Sequence, residues 1–399
     1  MSVAQPIVVQ AHTPSDWRTV LRLAWTVYWP MRLLLLVIGI FISLATANGV
    51  YATSLAGWLQ QVFIAPWHQV DVVWYVRIAQ DGYSIADGRA AFHPLLPLLM
   101  GGLGRILGGQ YVLAGLIIND LACFGLLAVF YRFVALDYGE SVGVHSMRWL
   151  LANPMGWVLL IPYTEALTLF FIVQAFWYAR HDRWLAAGLC GCLATLAKQP
   201  AIVLVVALFV EFLYRHHKDL WRWRSLHILA SLTLIPLGYL AYSAYRLLLN
   251  APAQTDLGST LRALVVSPQL GQKWGSTFIW PTDWLVHIIK FSFGSETYLW
   301  YWIEVGLFLA ALFVLSVILR RMRPSLVVYS LIQLFLIMTI LQLGDALMSS
   351  PRRFLLVFVI PLQLGIWSEK SRYWQHWRII SLALQGLLII GFITEKFTP

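Results

Sequence analysis

Along the chain, apolar residues come in long unbroken runs near 32–51, 111–131, 147–162, 165–179, 184–197, 200–214, 226–249, 299–319, 325–343, 354–368 and 378–394. At ~20 residues per crossing, or somewhat fewer for short or tilted helices, these runs predict about eleven membrane-spanning helices. The stretch 92–108, FHPLLPLLMGGLGRILG, is also apolar, but it is short and interrupted by Pro94, Pro97 and several glycines. It predicts a helix lying against the membrane surface, with a full span as the alternative.

The polar stretches between the runs set the orientation. With the N-terminus inside, Arg18, Arg22 and Arg32 precede the first span. The later inside loops carry Arg132 and Arg148, Arg180 and Arg183, RHHKDLWRWR at 215–224, RRMR at 320–323, and Lys370, Arg372 and Arg378. Every inside loop is then basic, as cytoplasmic loops are. A full span at 92–108 would reverse all later loops and turn these clusters outward. Residues 1–16 are mixed and polar, and the first run outlasts a signal h-region, so no cleavable signal peptide is expected.

Composition agrees: 60% of residues are hydrophobic and 12% charged, against the roughly one-quarter charged of soluble domains. Mean hydropathy is +0.72. The net charge of +10 comes from the short cytoplasmic clusters, which excludes a nucleic-acid partner. Twenty Trp and seventeen Tyr fit interfacial belts in contact with membrane lipids, and some could stack on sugar rings. Cys123, Cys190 and Cys192 all lie inside apolar runs and read as small buried hydrophobes. The ten histidines show no metal-ligand spacing. No repeat or linker divides the chain, so 1–399 reads as one domain.

The outside segments hold the unusual chemistry: 52–110, PYTEA at 162–166, AKQP at 197–200, 250–298 and GDALMSSPRR at 344–353. Residues 70–83, VDVVWYVRIAQDGY, place Asp71 just beyond the first span. An ionised carboxylate costs about 2.5–3.5 kcal/mol at mid-membrane on insertion scales; a solvated loop position is the plain alternative. Glu165 lies between two apolar runs with little room for a hydrated loop, and Lys198 is confined in the same way. A helix cap and a snorkelling side chain are their structural alternatives. Arg352 and Arg353 are cations on the wrong side for the positive-inside rule. They read either as an anion site, for which guanidinium forks are suited, or as headgroup anchors. Asp345 is their candidate ion-pair partner.

The blocks DVVWYVRIAQDGY, AAFHPLLPLL, NPMGWVLLIPYTEALTLFF, AAGLCGCLATLAKQPAI and SSPRRFLLVFVIPL, in that order over roughly 67–361, resemble the PIG-V-type mannosyltransferase family. Its eukaryotic member adds the second mannose of the glycosylphosphatidylinositol anchor, and its architecture is similar to that of the GT-C glycosyltransferases. The family pattern, approximately WD-x-x-WY-x-x-IA-x-x-GY, falls on Asp71, Trp74, Tyr75, Gly82 and Tyr83, and YTE on Tyr163, Thr164 and Glu165. The sequence departs from the pattern at Val70 for Trp, His93 for Phe, Lys198 for Arg and Phe354 for Tyr.

The resemblance implies an all-α polytopic integral membrane protein, a GT-C-like bundle of about 11 helices with interfacial helices in its first outer loop. It implies a hexosyl-, in particular mannosyltransferase. The donor is a polyprenyl- or dolichyl-phosphate sugar, and the acceptor a lipid-linked or cell-surface glycan. The active site faces away from the cytoplasm, in the cell membrane of a prokaryote or the endoplasmic reticulum of a eukaryote. Asp71 takes the role of catalytic base, with inversion at the anomeric carbon. Glu165 either positions the acceptor or helps hold a divalent cation, Mg or Mn, the one optional cofactor. Lys198 and Arg353, with Arg352, would hold the donor phosphate. Trp74, Tyr75, Arg77, Tyr83, His93 and Tyr163 complete the substrate-binding set. The rival reading, a transporter or lipid flippase, predicts mid-span charges and repeated halves, neither of which is expected from this sequence. A non-catalytic scaffold is disfavoured by the presence of Asp71 and Glu165.

Overall fold

A computed structural model describes residues 16–46, 52–84, 86–217, 223–249, 276–292, 299–318, 322–342, 346–347 and 349–397. The chain is a helical, polytopic membrane protein. Among the described residues, six helices are long and apolar enough to cross a bilayer: Trp17–Thr46, Tyr111–Tyr138, Gln199–His216, Ser225–Leu249, Leu299–Val317 and Arg372–Ile393. The other apolar runs expected to span form shorter helices. One two-stranded antiparallel ribbon accompanies them, Ser276–Phe278 against Ile340–Gln342.

The first helix, α1 (Trp17–Thr46), begins well before the apolar run at 32, so Arg18, Arg22 and Arg32 are helical residues. Arg32 lies mid-helix and is buried. This corrects the expectation that no charge sits at mid-span. The position is tolerable because Arg32 Nη2 meets Asp120 Oδ2 at 3.1 Å and Nη1 donates to the Leu160 carbonyl at 3.1 Å. A buried guanidinium is sustained by such a combination of ion pair and hydrogen bond.

Next come α2 (Asp71–Asp81) and α3 (Leu95–Ile106). The 12 residues of α3 reach about 18 Å, short of a hydrocarbon core of about 30 Å. They are followed by α4 (Tyr111–Tyr138), α5 (Glu140–Ala152), α6 (Glu165–Arg180), α7 (Trp184–Ala197), α8 (Leu204–His216), α9 (Trp223–Leu232) and α10 (Leu234–Leu249). The run 147–162 is not one helix: α5 ends at Ala152, where Asn153-Pro154 stops it, and a 3₁₀ turn follows at Gly156–Leu160. That irregular stretch is buried by protein, the condition for non-helical backbone at membrane depth. The chain continues through α11 (Pro281–Ser292), α12 (Leu299–Ile318), α13 (Pro324–Ile337), the short α14 (Ser350–Arg353), α15 (Val359–Lys370) and α16 (Arg372–Ile393). Most of the 250–298 loop, the 218–222 part of the basic loop and Asp345 lie outside the described residues.

Helix α6 gives the bundle its polarity. Its first residue is Glu165, and its last, Arg180, joins a buried square of charge. There Arg180 contacts Asp137 at 2.6 Å and Glu211 at 2.9 Å, while Arg323 contacts Asp137 at 2.9 Å. Ser325 donates to Glu211 at 2.5 Å. Arginines expected in cytoplasmic loops thus gather at one end of α6, and Asp71, Lys198 and Arg352 gather with Glu165 at the other.

Candidate active site

Four charged residues from distant parts of the chain meet at the Glu165 end, each beside a break in regular backbone. Asp71 opens α2 after Val70, which holds φ 49°, a left-handed value that a β-branched residue rarely adopts. Glu165 opens α6 directly after Pro162-Tyr163-Thr164. Lys198 is an extended residue between α7 and the 3₁₀ turn Gln199–Val203, where Pro200 prevents a simple helical continuation. Arg352 lies in α14, entered through Ser349 at φ 60°.

The four side chains form a row of alternating sign. Asp71 Oδ2 meets Arg352 Nη1 at 2.5 Å, Arg352 Nε stands 3.3 Å from Glu165 Oε1, and the same oxygen meets Lys198 Nζ at 2.5 Å. Glu165 is fully buried, and 13% of the Arg352, 19% of the Lys198 and 19% of the Asp71 side chain remain accessible. The site is therefore dry at Glu165 and open at its Asp71 and Lys198 ends. Arg352 also lies over the Tyr163 ring, 5.0 Å from its centroid, and Tyr75 meets that ring edge-on at 6.5 Å.

Charge balance holds the row together. Burial opposes the Arg352 charge, but Asp71 and Glu165 outweigh it and raise the guanidinium pKa above its ordinary value. Burial lowers the Lys198 pKa, and Glu165 opposes that shift. Two polar atoms at the centre, Glu165 Oε2 and the Tyr163 hydroxyl, are buried with no hydrogen-bond partner among the described residues. Buried oxygens of this kind are costly unless something else meets them.

Arg353 points elsewhere. Burial and the neighbouring Arg352 lower its pKa to about 10, and Glu304 on α12 is the carboxylate that opposes the shift. Of the two arginines, Arg352 joins the Asp71–Glu165 row.

The remaining sequence candidates form a second group around residues 82–93. Gly82 ends α2 at φ 77°, a conformation glycine adopts freely. Tyr83 donates its hydroxyl to the Phe92 carbonyl at 3.0 Å. Trp74 stacks on Phe92 with centroids 6.2 Å apart, and Arg77 lies 5.2 Å from the Trp74 centroid. His93 contacts the Thr195 carbonyl through Nδ1 at 2.8 Å, and burial lowers its pKa to about 3, so it is neutral. Sequence reasoning missed Tyr242 on α10, whose hydroxyl lies 2.9 Å from the Ala90 and 2.7 Å from the Phe92 carbonyl and can donate to either. It also missed Arg246, 5.3 Å from the Tyr242 ring centroid, with no carboxylate paired to it among the described residues. The wrong-side argument used for Arg352 would have found Arg246, which occupies the last turn of α10.

The carboxylates do not fit the optional divalent cation as they stand. Arg352 occupies the position between Asp71 and Glu165, and among the described residues no third His, Cys, Asp or Glu converges there.

No protein-family model and no curated protein matches the chain. Solved structures do resemble it. The Archaeoglobus fulgidus oligosaccharyltransferase in complex with Zn and sulfate aligns at TM-score 0.43 and 12% identity over 91% of this chain and 53% of that one. The oligosaccharyltransferase AglB from Archaeoglobus fulgidus, with an inhibitory peptide and a dolichol-phosphate, aligns at TM-score 0.40 and 11% identity over 94% and 56%. The chain thus spans about half the length of these structures.

Proposed function

We propose that the chain is a membrane glycosyltransferase of the GT-C kind, moving a hexose, in particular mannose, from a polyprenyl-phosphate carrier to a lipid-linked or cell-surface glycan. The observation that carries this reading is the Asp71–Arg352–Glu165–Lys198 row, two carboxylates and two cations at one end of the bundle. In this reading the site faces away from the cytoplasm, opposite the Arg180 end.

Asp71 accepts the proton of the acceptor hydroxyl as that oxygen forms its bond to the anomeric carbon. The bond from the anomeric carbon to the phosphate oxygen breaks on the opposite face, its electron pair leaves with the phosphate, and configuration inverts. The leaving lipid phosphate needs charge stabilisation rather than a general acid. Arg352 and Lys198 supply it. Because Arg352 also holds Asp71, a donor phosphate that draws the guanidinium toward itself frees the base only once the donor is bound. Glu165 Oε2 and the Tyr163 hydroxyl are unpartnered among the described residues but fully buried, so they meet a substrate hydroxyl only once the donor has drawn Arg352 aside.

An apolar cavity of about 430 Å³ offers a place for the lipid chain. Its walls include Trp149, Met155, Leu307, Val314, Pro351 and Phe354, the last two flanking Arg352 and Arg353 in sequence, and it runs along α12, α15 and α16. Among the described residues, the mid-helix pair Arg32–Asp120 favours a transporter. That pair, however, is tied to backbone adjoining the site through the Leu160 carbonyl, which gives it a structural use.

The reading predicts that a polyprenyl-phosphate hexose raises the thermal midpoint of the purified protein, by mass action on the folded state. The free hexose and the unphosphorylated polyprenol should raise it far less. Equal shifts from polyprenol and from the phosphate-linked donor would mean that lipid, not a sugar phosphate, is recognised.

A further inference from the structure

The connection between α5 and α6 carries Tyr163 and delivers Glu165, yet it makes little regular structure of its own. From Met155 to Thr164 every residue is buried. Pro162 lacks an N–H and interrupts any helical hydrogen-bond pattern there. The carbonyls of such a segment must find donors on other elements. At its near end they do so on α16: Ser381 donates to Ala152 at 2.5 Å, and Gln385 donates to Leu151 and Asn153, each at 2.9 Å. At its far end, next to the charged row, the donors come from α4 and α1. The Asn119 amide nitrogen donates to the carbonyls of Ile161 and Tyr163, the latter at 2.7 Å, and Arg32 donates to Leu160.

Asn119 is fully buried in an apolar helix, and both its N–H bonds are spent on this segment. Its Oδ1 has no hydrogen-bond partner among the described residues, so the two carbonyls alone orient the amide. The next residue, Asp120, holds Arg32. One turn earlier on α4, Gly115 lets Pro162 approach so closely that a Cβ there would sit 2.7 Å from the proline ring. Helix α4 is thus shaped to receive this stretch and to fix its carbonyls.

We propose that Asn119, backed by Arg32, is a positioning residue for the active site: it fixes the Ile161 and Tyr163 carbonyls and so sets Tyr163 and Glu165 against Arg352. Contacts of 2.5 and 3.3 Å at Glu165 leave little tolerance. A misplacement of about 1 Å at a reacting centre can cost about 10²-fold in rate. The consequence for rate rests on the glycosyl-transfer reading above.

Two readouts test the proposal. Asn119→Asp keeps the shape but has at most one O–H, and only when protonated, where the amide has two N–H donors, so it cannot hold both carbonyls; Asn119→Gln keeps the amide one methylene further out. With a polyprenyl-phosphate hexose, Asn119→Asp should lower kcat about 10–100-fold with donor KM within about twofold, and Asn119→Gln should fall between it and the wild type. Gln385→Met removes both hydrogen bonds to Leu151 and Asn153 at the other end of the same segment, away from the cavity wall, and should leave kcat unchanged. The second readout needs no activity: with 3-fluorotyrosine at position 163, the ¹⁹F resonance should move in both Asn119 variants and stay in place in Gln385→Met. If Asn119→Asp does not fold, Asn119→Gln carries both readouts. The proposal is overturned if a folded Asn119 variant keeps wild-type kcat and ¹⁹F shift, or if Gln385→Met matches its effects. Should no variant or wild type transfer sugar while the ¹⁹F shift still moves as expected, the transfer reading fails and the positioning role stands.

Discussion

Asp71→Asn should reduce sugar transfer about 10²–10⁴-fold in a protein that still folds and inserts, the range for loss of a general base. The amide keeps the carboxylate's shape and can still accept from Arg352, so the local packing survives. What it loses is the ability to take the acceptor proton. The loss should lie in kcat, because in the proposed mechanism the donor phosphate is held by Arg352 and Lys198 instead. Asp71 retains 19% side-chain exposure, enough for an acceptor hydroxyl to approach. Single-turnover rates on purified wild type and variant measure the effect. Turnover near normal in Asp71→Asn would return Asp71 to the role of ion-pair partner for Arg352.

Arg352→Gln should cost about 10²–10³-fold in kcat/KM, comparable to removing one preorganised stabiliser of developing negative charge. Arg352→Lys should recover little of it. A guanidinium can face Asp71 through Nη1 and Glu165 through Nε at once, whereas an ammonium is a point charge on a flexible stem. Both variants should remain folded, because Glu165 keeps Lys198 at 2.5 Å and Asp71 can reach water. If Arg352 and Lys198 share one phosphate, their substitutions should be non-additive, with a coupling of about 0.5–3 kcal/mol in a double-mutant cycle. Full activity in Arg352→Lys would make the bridge between carboxylates irrelevant to catalysis.

The reach of the sequence follows from what a local pattern can carry. Asp71, Glu165, Lys198 and Arg352 each stood out because a charge beside long apolar runs needs a reason, and that signal is local. Their convergence followed from topology, since alternate loops must share a face. Which arginine of the 352–353 pair enters the row was not legible, because side-chain direction in α14 depends on the turn at Ser349 and on Glu304 from a distant helix. Arg32 was read as a loop residue for a similar reason. Nothing near it in sequence reveals Asp120 and the Leu160 carbonyl, the partners that let it sit inside α1. The break at 153–164 was hidden because its residues are as apolar as a helix. Asn153-Pro154 and the lone Asn119-Asp120 pair within an apolar run were the signals that could have disclosed it.

The central claim is that Asp71 serves as base for inverting transfer from a lipid phosphate. The most direct measurement incubates purified protein with a polyprenyl-phosphate hexose of known anomeric configuration and an acceptor lipid glycan, then determines released polyprenyl phosphate and the anomeric configuration of the product by NMR. The account predicts one polyprenyl phosphate per glycoside formed, inverted configuration, and loss of both products in Asp71→Asn. Retained configuration, or glycoside formed at an undiminished rate by Asp71→Asn, would contradict it.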